Sequence, residues 1–296
     1  MSAHPFRSVL YMPASNARAL EKAASLPADA LILDLEDAVA PDKKSDARIL
    51  LSKKLSTKPY GNKKVIIRVN DLDTEWFEDD LACAIACKPD AILIPKINKA
   101  DDVIFVSDKM TTLGAPQSIK LWIMVETALS LLNIFQISKL AKFTRLDGFV
   151  MGVNDLAKEM QIPLATPEYP DRLGFLNYFS SCILAARLNN ICILDGVFNN
   201  FSDDVGVAYE ANQAKQLGFD GKTLIHPKQI DIANTVFAPT EAELKFAHSV
   251  VAAFADPANL GLAAIKVDGK MVEILHLDMA KNTLAKVRII DELSAN

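Results

Sequence analysis

Short apolar runs recur along the chain at regular intervals, and segments of helical periodicity follow them. The runs at residues 8–12 (SVLYM), 30–35, 64–69, 91–94, 148–151, 191–194 and 221–225 read as strands. So does the one within 120–127 (KLWIMVET), where Leu121 to Val125 lie between Lys120 and a lone carboxylate, Glu126. A continuous apolar run of that length suits a strand buried on both faces of a parallel sheet. Thr127 opens the next helix, so Glu126 stands at the carboxyl end of its strand. Ligands bind at that end in parallel α/β folds.

The helical stretches fill the gaps. One follows the first strand, with Ser15 as its cap and Ala19, Leu20, Ala23 and Ala24 on one side. Others run over 41–55, 76–87, 128–141 and 175–188, and one starts near Pro227. Eight strand-then-helix units predict a (β/α)8 TIM barrel over residues 1–238, an α/β fold with a C-terminal helical extension. No GxGxxG or GxxxxGK[ST] motif supports a nucleotide-binding sheet instead. Residues 239–296 break the alternation. They predict a helix over 240–254, opened by Thr240 with Glu243 placed for a capping box, then a hairpin turn at Val267, Asp268, Gly269 and Lys270, then a last helix to about Leu293. So short a segment is expected to lack a core of its own and to lie on the barrel or on a neighbouring subunit.

Composition narrows the functional classes. Half of the 296 residues are hydrophobic, 23% are charged and the net charge is −5. That balance speaks against a general nucleic-acid or anionic-membrane surface, although a local basic patch could still take a coenzyme. Four scattered cysteines indicate a reducing compartment, and Cys83 and Cys87 share a helix face that reads as packing. No signal peptide or transmembrane run is visible, so a cytoplasmic location is expected.

If the strands close, their carboxyl ends bring one set of polar residues to one mouth: Tyr11, Glu36, Asp37, Arg68, Asn70, Lys96, Glu126, Asn154, Asp155, Asp195 and His226. Several anions with few cations invite a hard divalent ion. Glu126 and Asp155 follow apolar strands that neighbour each other in the barrel order, and two carboxylates with water and substrate oxygens complete an octahedral Mg2+ site. Asp155 has an equal claim as a helix cap. Arg68, inside a strand, needs a partner: either a structural ion pair or a substrate carboxylate. Glu36 and Asp37 are further candidates for catalytic carboxylates. His226, in IHP, reads as a hydrogen-bonded turn residue, and Asp195 as a carboxylate supporting the site from behind. Lys43, Lys44 and Arg48 read as a solvated helix face, with a phosphate contact as the alternative.

The chain resembles the citrate lyase beta-subunit family within the HpcH/HpaI aldolase/citrate lyase group, in particular its malyl-CoA lyase and (3S)-malyl-CoA thioesterase branch. The resemblance rests on RSVLYMPAS, DLEDAVAPDKK, IIRVN at 66–70, ILIPK, ETALSLLN, MGVNDLAKEM, DGVFNNFSDDVG and GFDGKTLIHPKQI. It implies a barrel that assembles as a homotrimer or a hexamer and acts on an acyl-CoA thioester and a small oxoacid with Mg2+, or Mn2+ in its place. It implies metal ligands at Glu126 and Asp155 and a substrate-binding arginine at Arg68. Coenzyme A contacts fall at Tyr11, Lys22, Asn154, Ile225 and His226. The family carries a C-terminal aspartate that reaches a neighbouring site as acid/base; here DGKMVEIL places Glu273 there, one methylene longer. The resemblance implies C–C cleavage to acetyl-CoA or propionyl-CoA and a glyoxylate-type acid, with hydrolysis to malate and coenzyme A as the alternative.

Overall fold

Eight parallel strands pair in chain order and close into a barrel: β1 (Ser8–Pro13), β2 (Ala30–Asp34), β3 (Lys64–Arg68), β4 (Ala91–Ile94), β5 (Lys120–Val125), β6 (Leu146–Met151), β7 (Cys192–Asp195) and β8 (Gly221–Leu224). β8 returns to β1 through pairs such as Val9 with Thr223. This computed structural model describes residues 4–294. The chain divides into two units, Phe6–Phe237 and a C-terminal one from Ala238 onward.

The two-residue period of each strand sorts its side chains. Val9, Ile32, Ile66, Leu93, Trp122, Val150 and Leu194 fill the barrel interior, while Leu10, Leu31, Ile67, Ile92 and Ile193 belong to the larger core under the helices. Trp122 meets Phe6 edge-on, with centroids 5.1 Å apart. A β-carbon on residue 148 would collide with the indole of Trp122, so Gly148 is what admits that ring.

The outer layer comprises α1 (Ala17–Lys22), α2 (Lys44–Leu55), α3 (Phe77–Cys87), α4 (Ala100–Thr112), α5 (Ala128–Lys139), α6 (Val153–Met160), α7 (Leu176–Leu188), α8 (Asp204–Leu217) and α9 (Ile230–Phe237). Single 3-10 turns lead into α2 and α9, at Pro41–Lys43 and Pro227–Gln229, where proline's fixed φ suits the first helical position. The cap of α1 is Asn16, not Ser15: its side-chain oxygen accepts from Ala19 N at 3.1 Å. The helices α4 and α8 did not stand out in the sequence, because charged and polar residues interrupt their apolar stripes.

The C-terminal unit consists of α10 (Glu241–Ala255), an antiparallel hairpin of β9 (Ala264–Val267) and β10 (Lys270–Glu273), and α11 (Ile274–Ser294). Thr240 and Glu243 form the expected capping box, with Glu243 Oε2 accepting from Thr240 N at 2.7 Å. Asp268 and Gly269 turn the hairpin with positive φ of 48° and 81°, as a two-residue turn requires. Contrary to expectation, this unit has a small core of its own, formed by Ala247, Val250, Ile265, Val267, Val272 and Ala280. No described helix is long and apolar enough to cross a membrane.

Candidate active site

Strand parity delivers the site. Tyr11, Asp34, Arg68 and Met124 follow inward-facing residues by two positions, so their side chains line the carboxyl end of the barrel. There they border a cavity of about 360 Å3, together with Asp37, Gly152, Asn154, Asp155, Val197, Thr223 and Ile225. That volume lies within the usual range of small-molecule sites.

Arg68 is the hub. Its Nε and Nη2 donate to Asp34 Oδ1 and Oδ2 at 2.7 and 2.6 Å, and its Nη1 donates to Asp37 Oδ2 at 3.3 Å. The same Nη1 lies 2.7 Å from Glu36 Oε2, and the guanidinium sits 5.0 Å over the Tyr11 ring. Burial works against its charge, but the fork on Asp34 outweighs it and keeps the arginine firmly protonated. The ion-pair reading of Arg68 is therefore realised, and its partners hold it at the cavity wall.

Glu36 is only 7% exposed. Burial lifts its carboxyl to about 8, against the pull of Arg68 and with a further push from Asp37 and Glu126. Its Oε2 approaches Arg68 as a charge contact without hydrogen-bond geometry, which leaves that buried oxygen without a hydrogen-bond partner. Asp34 pins the loop from below, accepting from Glu36 N at 2.9 Å and Ala38 N at 3.1 Å. From behind, Lys44 Nζ donates to Leu35 O, Glu36 O and Asn70 Oδ1 at 2.8, 2.7 and 2.8 Å. Lys44 is thus neither a solvated helix residue nor a phosphate contact, but a buried brace. Asn70 belongs to the same brace, held by Asp80, and does not line the mouth. Arg48 extends it by pairing with Asp80 and Asp79, while Lys43 stays on the solvated face.

Glu126 follows β5 and is 2% exposed. Lys96 N, in a residue with positive φ, donates to its Oε1 at 2.7 Å. Burial raises its carboxyl to about 7; the Lys96 amide opposes this and the charge of Asp155 adds to it. Gly152 makes the cradle, since a β-carbon there would overlap the Glu126 side chain. Asp155 lies exposed in the first turn of α6, whose cap position is Gly152, so it is not the cap. Two carboxylates, one buried with the Lys96 amide on one oxygen and one open to solvent, suit a hard divalent cation that keeps several water ligands. Among the described residues no group of three His, Cys, Asp or Glu is arranged for a metal, so any such ion would draw its remaining oxygens from water and substrate.

The other expected contacts scatter more widely. Asn154 exchanges two amide hydrogen bonds with Asn199, at 3.2 and 2.8 Å, tying α6 to the loop after β7. Ile225 lines the cavity, and His226 stacks on Phe201 while its Nδ1 accepts from Lys228 N, as a turn histidine does. Lys22 is exposed on the last turn of α1 and does not line the cavity. Lys96 directs its exposed ammonium towards Asp71, 3.6 Å away, and Glu36, 4.0 Å away. Asp195 is buried under α8, not at the mouth, paired with Arg172 and with Lys222, which is itself wholly buried. Glu273 belongs to the C-terminal unit, exposed on β10, with its amide donating to His276 Nδ1 at 3.0 Å. Asp34 went unnoticed in the sequence, although a carboxylate two residues before Glu36 in LDLED has the same inward parity.

The model of the HpcH/HpaI aldolase/citrate lyase family matches residues 7–227, and that of a C–C bond lyase of the TIM-barrel fold matches 178–290. A (3S)-malyl-CoA thioesterase of Cereibacter sphaeroides (strain ATCC 17025 / ATH 2.4.3) is 49% identical over 294 residues, covering 99% of each chain. The citrate lyase subunit beta of Escherichia coli K12 is 33% identical, over 96% of this chain and 93% of that one. Among solved structures, the CitE protein of Mycobacterium tuberculosis in complex with magnesium, acetoacetate and coenzyme A superposes with a TM-score of 0.75 at 26% identity. That match covers 97% of this chain and all of the other. A closed eight-stranded barrel, an acidic mouth gathered around one arginine, and a family match over three quarters of the sequence agree: the chain belongs to the HpcH/HpaI aldolase/citrate lyase family.

Proposed function

We propose that this protein hydrolyses (3S)-malyl-CoA-type thioesters to malate and coenzyme A, with Mg2+ held by Glu126 and Asp155. The observation that carries the reading is the 49% identity to a (3S)-malyl-CoA thioesterase along the whole length of both chains. It favours hydrolysis over the C–C cleavage that the family resemblance suggested first. The complex of M. tuberculosis CitE with magnesium and coenzyme A supports the ligand classes, and Mn2+ would satisfy the same oxygen donors.

When bound, the cation supplies Lewis-acid polarisation of substrate oxygens. The chain's residues do the rest. Arg68, oriented by Asp34, presents Nη1 to a substrate carboxylate at the cavity wall. Glu36, whose carboxyl burial keeps largely protonated at neutral pH, leaves that nitrogen less neutralised than three ionised carboxylates would. Tyr11, Asn154, Ile225 and His226 are the proposed contacts for coenzyme A, with Lys22 as a peripheral one. In the reaction water adds to the thioester carbonyl carbon, the C–S bond breaks and the sulfur takes up a proton. Glu273 is the proposed carboxylate that accepts the proton from water, supplied by a neighbouring copy in a trimer or hexamer. Leu132, Leu184 and Leu188, all more than half exposed on α5 and α7, support such self-association.

The C–C lyase reading rests on the second family model and on the citrate lyase relatives. One experiment separates the two. The protein is incubated with (3S)-malyl-CoA and Mg2+, and free thiol, glyoxylate and acetyl-CoA are measured. Free thiol and malate without glyoxylate support hydrolysis; glyoxylate with acetyl-CoA overturns it in favour of cleavage.

A further inference from the structure

Away from the barrel mouth, two thiols stand together in the helix layer. Cys83 and Cys87 lie one turn apart on α3, and Ser52 Oγ of α2 sits 3.3 Å from the first sulfur and 3.7 Å from the second. Cys83 Sγ also donates to the Arg48 carbonyl at 3.6 Å, and the two thiols hydrogen-bond each other. Both are half-buried, so neither is sealed in the core as Cys182 is.

The spacing decides what such a pair can do. Side chains four apart on a helix have β-carbons about 5–6 Å apart. A disulfide needs them about 3.5–4.5 Å apart. A direct S–S bond would therefore distort α3, whereas one bridging atom between the sulfurs fits the unbent helix. The neighbouring Ser52 hydroxyl and Arg48 carbonyl already fix the thiols on that face.

We propose that Cys83, Cys87 and Ser52 form a chelating site for soft thiophilic centres of the trivalent arsenic class. With an organic arsine oxide, R–As=O, two As–S bonds form. The As=O bond and both S–H bonds break, one water leaves and arsenic stays trivalent. The hydrogen bond with Cys87 holds the Cys83 thiol down at about 7, against the effect of burial, which makes it the attacking thiolate near neutral pH. Cys87, its own thiol pushed up by the same hydrogen bond and by burial, closes the ring second.

The test is titration of the full chain with phenylarsine oxide. The expected result is one adduct per chain by intact mass and the loss of two titratable thiols. An excess of monothiol should leave the adduct in place, and 2,3-dimercaptopropanol should remove it. Cys83→Ala and Cys87→Ala should each weaken binding by about a hundredfold or more, because a chelate becomes a single bond; Cys182→Ala and Cys192→Ala should not. Peptide mapping of the wild-type adduct gives the same decision without any variant. Arsenic on the peptide that contains both Cys83 and Cys87 supports the site. Arsenic elsewhere, no adduct, or undiminished binding in both α3 variants overturns it.

Discussion

Arg68 and Asp34 occupy paired positions on adjacent strands, β3 and β2, and join through two parallel hydrogen bonds of 2.7 and 2.6 Å with both side chains buried. Asp34 also holds the amides of Glu36 and Ala38, so one carboxylate sets both the arginine and the acidic loop. Removing one partner of a buried pair costs about 3–5 kcal/mol, because the other charge is left without compensation. Asp34→Ala should fall at the lower end of that range, since Arg68 keeps its hydrogen bond to Asp37. Urea unfolding measures it; a loss below about 1 kcal/mol would mean the pair is no brace.

Much of this site was legible because a strand has a period of two. Once the run ending at Glu126 is a buried strand, its alternation points Glu126 inward, and the same parity carries Tyr11 and Arg68 to the mouth. What the sequence concealed were partners distant in the chain. Lys44 looks like one of several cations on a polar helix, and only the folded chain brings its ammonium to Asn70, just past the end of the next strand, while it sits under the nearby carbonyls of Leu35 and Glu36. Lys222 is hidden for the same reason. The fold buries it between Asp195 and Glu210, residues on two other elements. Local propensity carries no trace of such a meeting. The cap of α1 failed differently: Ser15 and Asn16 are adjacent and equally suited, and the chain uses the second.

The raised carboxyl of Glu36 makes stability depend on pH. Its value moves from an ordinary 4.5 to about 8 in the folded chain. The native state therefore holds the proton more tightly than the unfolded state. Stability from this group is fully present below about 4.5 and declines as pH rises through that window, levelling off above about 8. Each pH unit within the window costs at most about 1.4 kcal/mol. Glu36→Gln keeps the shape without the charge. Without divalent ions, the variant should match the wild type at the acid end and exceed it by a few kcal/mol at the alkaline end. Parallel urea curves at the two ends test this, and identical pH slopes for the two proteins would remove the buried charge from the account.

Glu126 and Asp155 are tested by the ion itself. Glu126→Gln and Asp155→Asn preserve size and remove one carboxylate charge each from the proposed ion site. Loss of a residue that merely supports a metal ligand costs about 10–100-fold in affinity, so loss of a ligand should weaken Mg2+ binding by at least that much. Calorimetric titration with the ion alone reads this independently of turnover. Gly152→Ala gives a steric control, because the added methyl group overlaps Glu126 without touching its charge. It should weaken Mg2+ binding as well. The Glu126→Gln variant should at the same time be the more stable protein above neutral pH in the absence of ion, since it no longer buries a carboxylate raised to about 7. Unchanged Mg2+ affinity in both carboxamide variants would take the metal away from this pair and leave Glu126 as a buried acid held by the Lys96 amide.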